Sequence, residues 1–172
     1  MASNREIRFP ADSLLALRKA LRHQVGGPQA VQVLQEAGHA AGDSLFRRLD
    51  QGDGVEATPH AIFWSRLSSL FREMGWGTVD HEELHSGVGS LVARDWFEVD
   101  PAATTPSCPF SAGMLANILG HLAGQDVAVM VVPGPDDDRS CRFLFGAGPV
   151  LQQVYAELRE GRTLETALRD LG

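Results

Sequence analysis

The side chains in this sequence able to do chemistry are two cysteines, a scatter of histidines and a short acidic run. Cys108 and Cys141 offer thiolates for a metal or a redox step, and His39, His60, His81, His85 and His121 offer imidazoles for metal binding or proton transfer. Two thiolates are only half of a tetrahedral zinc set. His81 and His85 are four residues apart, but that step along a strand separates them by about 13 Å, too far for one ion. The run Asp136-Asp137-Asp138 lacks the staggered ligands and closing glutamate of a calcium loop and reads as a solvated hairpin tip. Ser111-Ala112-Gly113 follows no Gly-x-Ser elbow, so nothing marks a serine nucleophile. Gly87-Val88-Gly89 lacks the third glycine and helix start that cradle a dinucleotide pyrophosphate. These patterns predict no catalytic set, no metal and no cofactor. The remaining candidates are apolar rings, the side chains that line small-molecule pockets. The ligand-binding candidates are therefore His60, Trp64, Phe71, Trp76, Phe97, Phe110 and Met114. Trp64 draws notice because it sits one step off the Phe63/Leu67/Phe71 stripe, at the flank of the core or over a cavity.

The chain positioning them has 172 residues, enough for one domain over 1–172 with residues 1–28 as an N-terminal helical extension. Twenty-two acidic against 15 basic residues give a net charge of −7, a balance that repels phosphate backbones and argues against nucleic acid as a partner. The N-terminus is polar and no apolar run is long enough for a membrane span, so the expected location is the cytoplasm, where the cysteines stay reduced.

Apolar spacing predicts helices over Ser13–Val25, Gln29–Leu49, Pro59–Met74, Phe110–Ala123 and Pro149–Leu158, with Thr163 capping a short last one. In the second helix Gly38 and Gly42 stack on one face at a cost of roughly 2 kcal/mol relative to alanine, which predicts close approach by another backbone. Strands are expected at Trp76–Leu84, Val88–Val99, Val127–Val132 and Cys141–Phe145. On the second, the neighbours Trp96 and Phe97 would face opposite sides, and the unbroken apolar run Val127–Val132 reads as an interior strand. Hairpins flanking a helix give an α+β fold, an antiparallel sheet of about four strands packed against helices on one side.

Within that frame the stretch from Asp95 to Gly146 carries a resemblance. Its motifs are Asp95-Trp-Phe-Glu-Val-Asp100, Cys108-Pro-Phe-Ser-Ala-Gly-Met-Leu-Ala116, then Gly124 with the apolar strand, and Cys141-Arg-Phe-Leu-Phe-Gly146. The upstream pieces Glu36-Ala-Gly-His-Ala-Ala-Gly42 and Phe71-Arg-Glu-Met-Gly-Trp-Gly77 follow the same pattern. From about Val31 to Leu158 the chain resembles the 4-vinyl reductase-type hydrocarbon-binding domain, related in fold to subunits of the TRAPP vesicle-tethering complex. The resemblance implies a usually dimeric α+β sandwich with an internal pocket for a lipophilic or aromatic ligand. In the phenol-sensing members it also implies a zinc site, built from the cysteine opening the helix, a Glu-x-x-Cys pair on the next strand and a final cysteine. Cys108 and Cys141 match the outer positions, but Met130 and Pro133 stand where the glutamate and middle cysteine belong, so no structural metal is expected.

The function this implies is non-catalytic binding of a hydrophobic or aromatic small molecule by a homodimeric carrier or sensor. One alternative is an assembly role, with the Gly38/Gly42 face and the helix from Pro149 to Leu158 as partner surfaces. Another is an accessory factor in tetrapyrrole (bacteriochlorophyll-type) synthesis, the pathway behind the family's name.

Overall fold

In a computed structural model describing residues 9–50, 59–135 and 140–171, each expected helix and strand is present, with shifted ends. The order is α1 (Ala11–Val25), α2 (Gly27–Asp50), α3 (His60–Glu73), β1 (Thr78–His85), β2 (Val88–Arg94), α4 (Pro109–Ala123), β3 (Ala128–Pro133), β4 (Cys141–Gly146), α5 (Gly148–Arg159) and α6 (Leu164–Arg169). The Asp136–Asp138 tip and loop 51–58 lie outside the described residues. Proline opens α4, where its missing N–H costs nothing. Thr163 caps α6, its hydroxyl accepting from the Thr166 N–H at 3.2 Å.

The four strands form an antiparallel sheet in the order β1-β2-β4-β3. β3 is thus an edge strand paired with β4 alone, and the expectation of an interior strand at Val127–Val132 is corrected. Its apolar run has a different cause, since both of its faces are covered. Val127, Val129 and Val131 pack into the core beneath α3 and α4, while Ala128, Met130 and Val132 pack with Leu151, Val154 and Leu168 of α5 and α6. The same arrangement corrects the one-sided plan. Helices lie on both faces, α3 and α4 on one and α5 and α6 on the other.

β2 stops at Arg94, short of the expected Val99. Asp95 adopts φ 49°, a left-handed conformation that turns the chain out of the sheet. Trp96 and Phe97 therefore do not straddle a strand. Both join one aromatic block, their ring centroids 5.3 Å apart.

Outside α4 lies α2, and here the glycines explain themselves. A Cβ on Gly38 would run into the Phe110 carbonyl, and one on Gly113 into the Gln35 carbonyl, so each helix supplies a notch for the other's backbone. A Cβ on Gly42 would collide with Asn117. The Gly38/Gly42 face is filled by α4, so it is closed to a second protein, contrary to the assembly expectation.

Candidate functional site

Three cross-strand rows face α3 and α4. They are Val79–Ala93–Cys141, His81–Leu91–Phe143 and Glu83–Gly89–Phe145. Apart from His81, the first two lie within the core that α3 and α4 cover. The third borders a cleft of about 1030 Å³ between the start of α3, the end of α4 and the β1–β2 turn. His60 and Trp64 line it from α3, Leu119 and Leu122 from α4, and Gly89 and Phe145 form its floor.

The aromatic wall is built of rings in mutual contact. The Trp64 and His81 rings stack at 4.2 Å with 6° between their planes, and Phe145 lies 5.8 Å from Trp64 and 6.1 Å from His81. Phe145 lies flat across Gly89, where even a methyl group would strike the far edge of its ring. Burial lowers the pKa of His81 below its ordinary value, opposed by the nearby Glu83 charge, so the neutral imidazole is favoured. A neutral imidazole brings one hydrogen-bond donor and one acceptor to a surface otherwise made of ring faces.

The structure divides the seven sequence candidates. His60 and Trp64 sit on the cleft. Phe71 and Met114 are fully buried in the core. Trp76 stacks on Phe71 at 5.9 Å and on Phe97 at 4.6 Å, and Phe110 meets both Trp76 and Phe97 edge-on at 6.3 Å. Those five form a packed block around the start of α4, away from the cleft. Sequence reasoning passed over His81 and Phe145 as cleft residues. The alternation Val79/His81/Glu83 turns His81 inward, but the β2–β4 register that lays Phe145 over Gly89 carries no local signal.

A second polar constellation anchors the block. Glu98 is fully buried, and its carboxylate accepts hydrogen bonds from the N–H groups of Phe110 and Ser111 in the first turn of α4. The Trp96 indole N–H donates to the Ser111 hydroxyl at 2.9 Å. Arg18 reaches in from α1 and donates to the backbone carbonyls of Glu98 and Ser107.

Nearby, the Cys108 and Cys141 sulfurs lie 3.8 Å apart and both residues are buried. The hydrogen bond to Cys141, together with burial, pushes the Cys108 thiol far above its ordinary pKa, so it stays protonated. The donor set does not fit the zinc site that the sequence resemblance implies for phenol-sensing members. Met130 packs on the opposite face of the sheet, Pro133 has no donor atom, and the Glu98 carboxylate is committed to α4. Among the described residues no group of three or more histidine, cysteine or acidic side chains is placed to hold a metal.

A smaller cleft of about 540 Å³ runs along α2 and α4 past His39, Asn117 and His121. Asp43 accepts from Asn117 at 2.9 Å and lies 3.0 Å from the His121 Nε2, contacts that hold its carboxyl pKa down. His121 also stacks on Phe46 at 4.8 Å. This group clasps α2 to α4 at the surface.

No family model matches the chain, and no curated protein matches it. Solved structures do. The phenol-responsive sensory domain of the transcription activator PoxR, crystallised with phenol, superposes with a TM-score of 0.67 at 19% identity, over 94% of this chain and 84% of that one. A vinyl-4-reductase family protein from Methanocaldococcus jannaschii superposes with a TM-score of 0.51 at 18% identity, over 82% of each chain. At these identities the likeness is one of fold. The fold is the one implied by the sequence resemblance, shared with a vinyl-4-reductase family protein and a ligand-sensing domain.

Proposed function

We propose that the protein binds a hydrophobic or aromatic small molecule, without transforming it, in the cleft floored by Phe145 and walled by Trp64 and His81. The observation that carries this reading is the cleft itself, about 1030 Å³ of concave surface with three aromatic rings fixed at its base. A ligand covering those rings gains about 25 cal/mol per Å² of apolar surface buried, before ordering costs. His60 at the mouth and His81 at the base supply polar orientation. The histidine at the base is stacked on an indole rather than paired with a hydroxyl or thiol nucleophile, which supports binding over catalysis. The PoxR sensory domain, of the same fold, is phenol-responsive, and a cytoplasmic carrier or sensor is the corresponding role here.

A homodimer accompanies this proposal. Phe9 and Leu17 expose 71% and 59% of their surface at and beside α1, on the helical side away from the cleft rings, a placement suited to a second copy. No described helix is long and apolar enough to cross a membrane.

The test is isothermal titration of the purified protein with phenol, alongside native mass spectrometry. One saturable site per chain, weakened about ten-fold or more in Trp64→Ala, is expected. Absence of saturable binding by folded protein, or undiminished binding by Trp64→Ala, overturns the reading.

A further inference from the structure

We infer that the cleft selects its ligand by charge, admitting neutral and cationic aromatic molecules and turning away carboxylates. The inference rests on the ligand-binding reading above and adds the ligand's chemical class. Two carboxylates, Glu83 on the floor row and Asp126 beyond the end of α4, face the cleft, and no lysine or arginine is among its described lining residues. Arg142, on β4 between the core residues Cys141 and Phe143, belongs to the opposite face of the sheet. There it pairs with Glu82 at 2.8 Å and borders a second hollow, beside α6, that meets the cleft at Leu84 and His85.

The remaining ionisable groups at the cleft are His60, His81 and His85. His85 accepts a hydrogen bond from the Gly87 N–H through Nδ1, which ties it to the turn. His81 is stacked on Trp64 and favoured in its neutral form by burial. An incoming carboxylate would thus meet two like charges and lose its hydration without a cation to replace it. An aromatic amine or alcohol has no such obstacle, and an ammonium group gains from both the carboxylates and the ring faces. Because Glu83 and Asp126 are solvent-accessible, the discrimination is moderate and weakens with salt. By the same argument, a tetrapyrrole bearing carboxylate side chains is a poor fit, which disfavours the accessory-factor alternative.

The experiment compares three probes of one size, benzylamine, benzyl alcohol and benzoate. Each is titrated calorimetrically into the intact protein at about pH 8, in low and in high salt. The expected order is benzylamine, then benzyl alcohol, then benzoate, with roughly ten-fold between the charged extremes at low salt. The gap should narrow in high salt and in the double variant Glu83→Gln/Asp126→Asn. Equal affinities, benzoate binding tightest, or a gap untouched by the double variant overturns the charge inference and leaves the ligand reading standing. No saturable binding of any of the three overturns both.

Discussion

Glu98 holds Ser111 at two points, accepting from its backbone N–H at 2.8 Å and from its hydroxyl at 2.6 Å. The Phe110 N–H adds a third bond at 3.0 Å, so one carboxylate from a distant loop satisfies two otherwise orphaned donors of α4. The helix start has no cap of its own, since the Cys108 side chain makes no capping bond.

Removing that carboxylate should therefore cost more than an ordinary cap. Glu98→Ala leaves buried N–H groups without acceptors, and a loss of about 3–5 kcal/mol in urea unfolding is expected.

The same carboxylate gives stability a pH dependence with a definite sign. Burial raises its pKa above the ordinary carboxylate value, against the pull of the Ser111 and Phe110 hydrogen bonds and the Arg18 charge. The folded state then holds the proton more tightly than the unfolded state. Its contribution is complete below the ordinary carboxylate range and is lost as pH rises through the raised folded value. Urea midpoints measured across that interval should fall for the wild type and stay flatter for Glu98→Gln. A midpoint that rises with pH in the wild type alone would reverse the assignment.

Glycine at the α2/α4 contact is the next place where a small change should be costly. Gly38→Ala and Gly113→Ala each press a methyl group on a backbone carbonyl that cannot rotate away. Each should destabilise by about 3 kcal/mol. Gly148→Ala, at the open start of α5 with nothing within 4 Å, serves as the control and should be neutral or slightly stabilising.

Gly89→Ala should act differently, because the obstacle is the far end of the Phe145 ring, which can tilt. The fold should survive with a loss near 1 kcal/mol. The displaced ring should make the cleft shallower, reducing benzyl alcohol affinity several-fold. Unchanged affinity in calorimetry would show that Phe145 does not form the binding floor.

The helices are legible because their apolar stripes recur at fixed spacing, and the Gly38/Gly42 pair encodes the close contact that α4 fills. The β3 run misled because an edge strand covered on both faces has the same composition as an interior one. Glu98 was hidden for a related reason. Inside Asp95-Trp-Phe-Glu-Val-Asp100 it looks like a solvated charge on a strand, and only the turn at Asp95 carries it under α4. The cleft was half visible. His60 and Trp64 are near neighbours on one helix, but His81 and Phe145 reach it through pairing across three strands, and pairing register is a property of the folded sheet.

Arg18 bonds to carbonyls 80 and 89 positions further along the chain. During synthesis at about 5–20 residues per second, its guanidinium waits on the order of 5–20 s for those acceptors to be made. For that interval the buried Arg18 charge has neither of its carbonyl partners. α1 is thus locked last, and until residues 98 and 107 are made it is held through its packing on α2 alone.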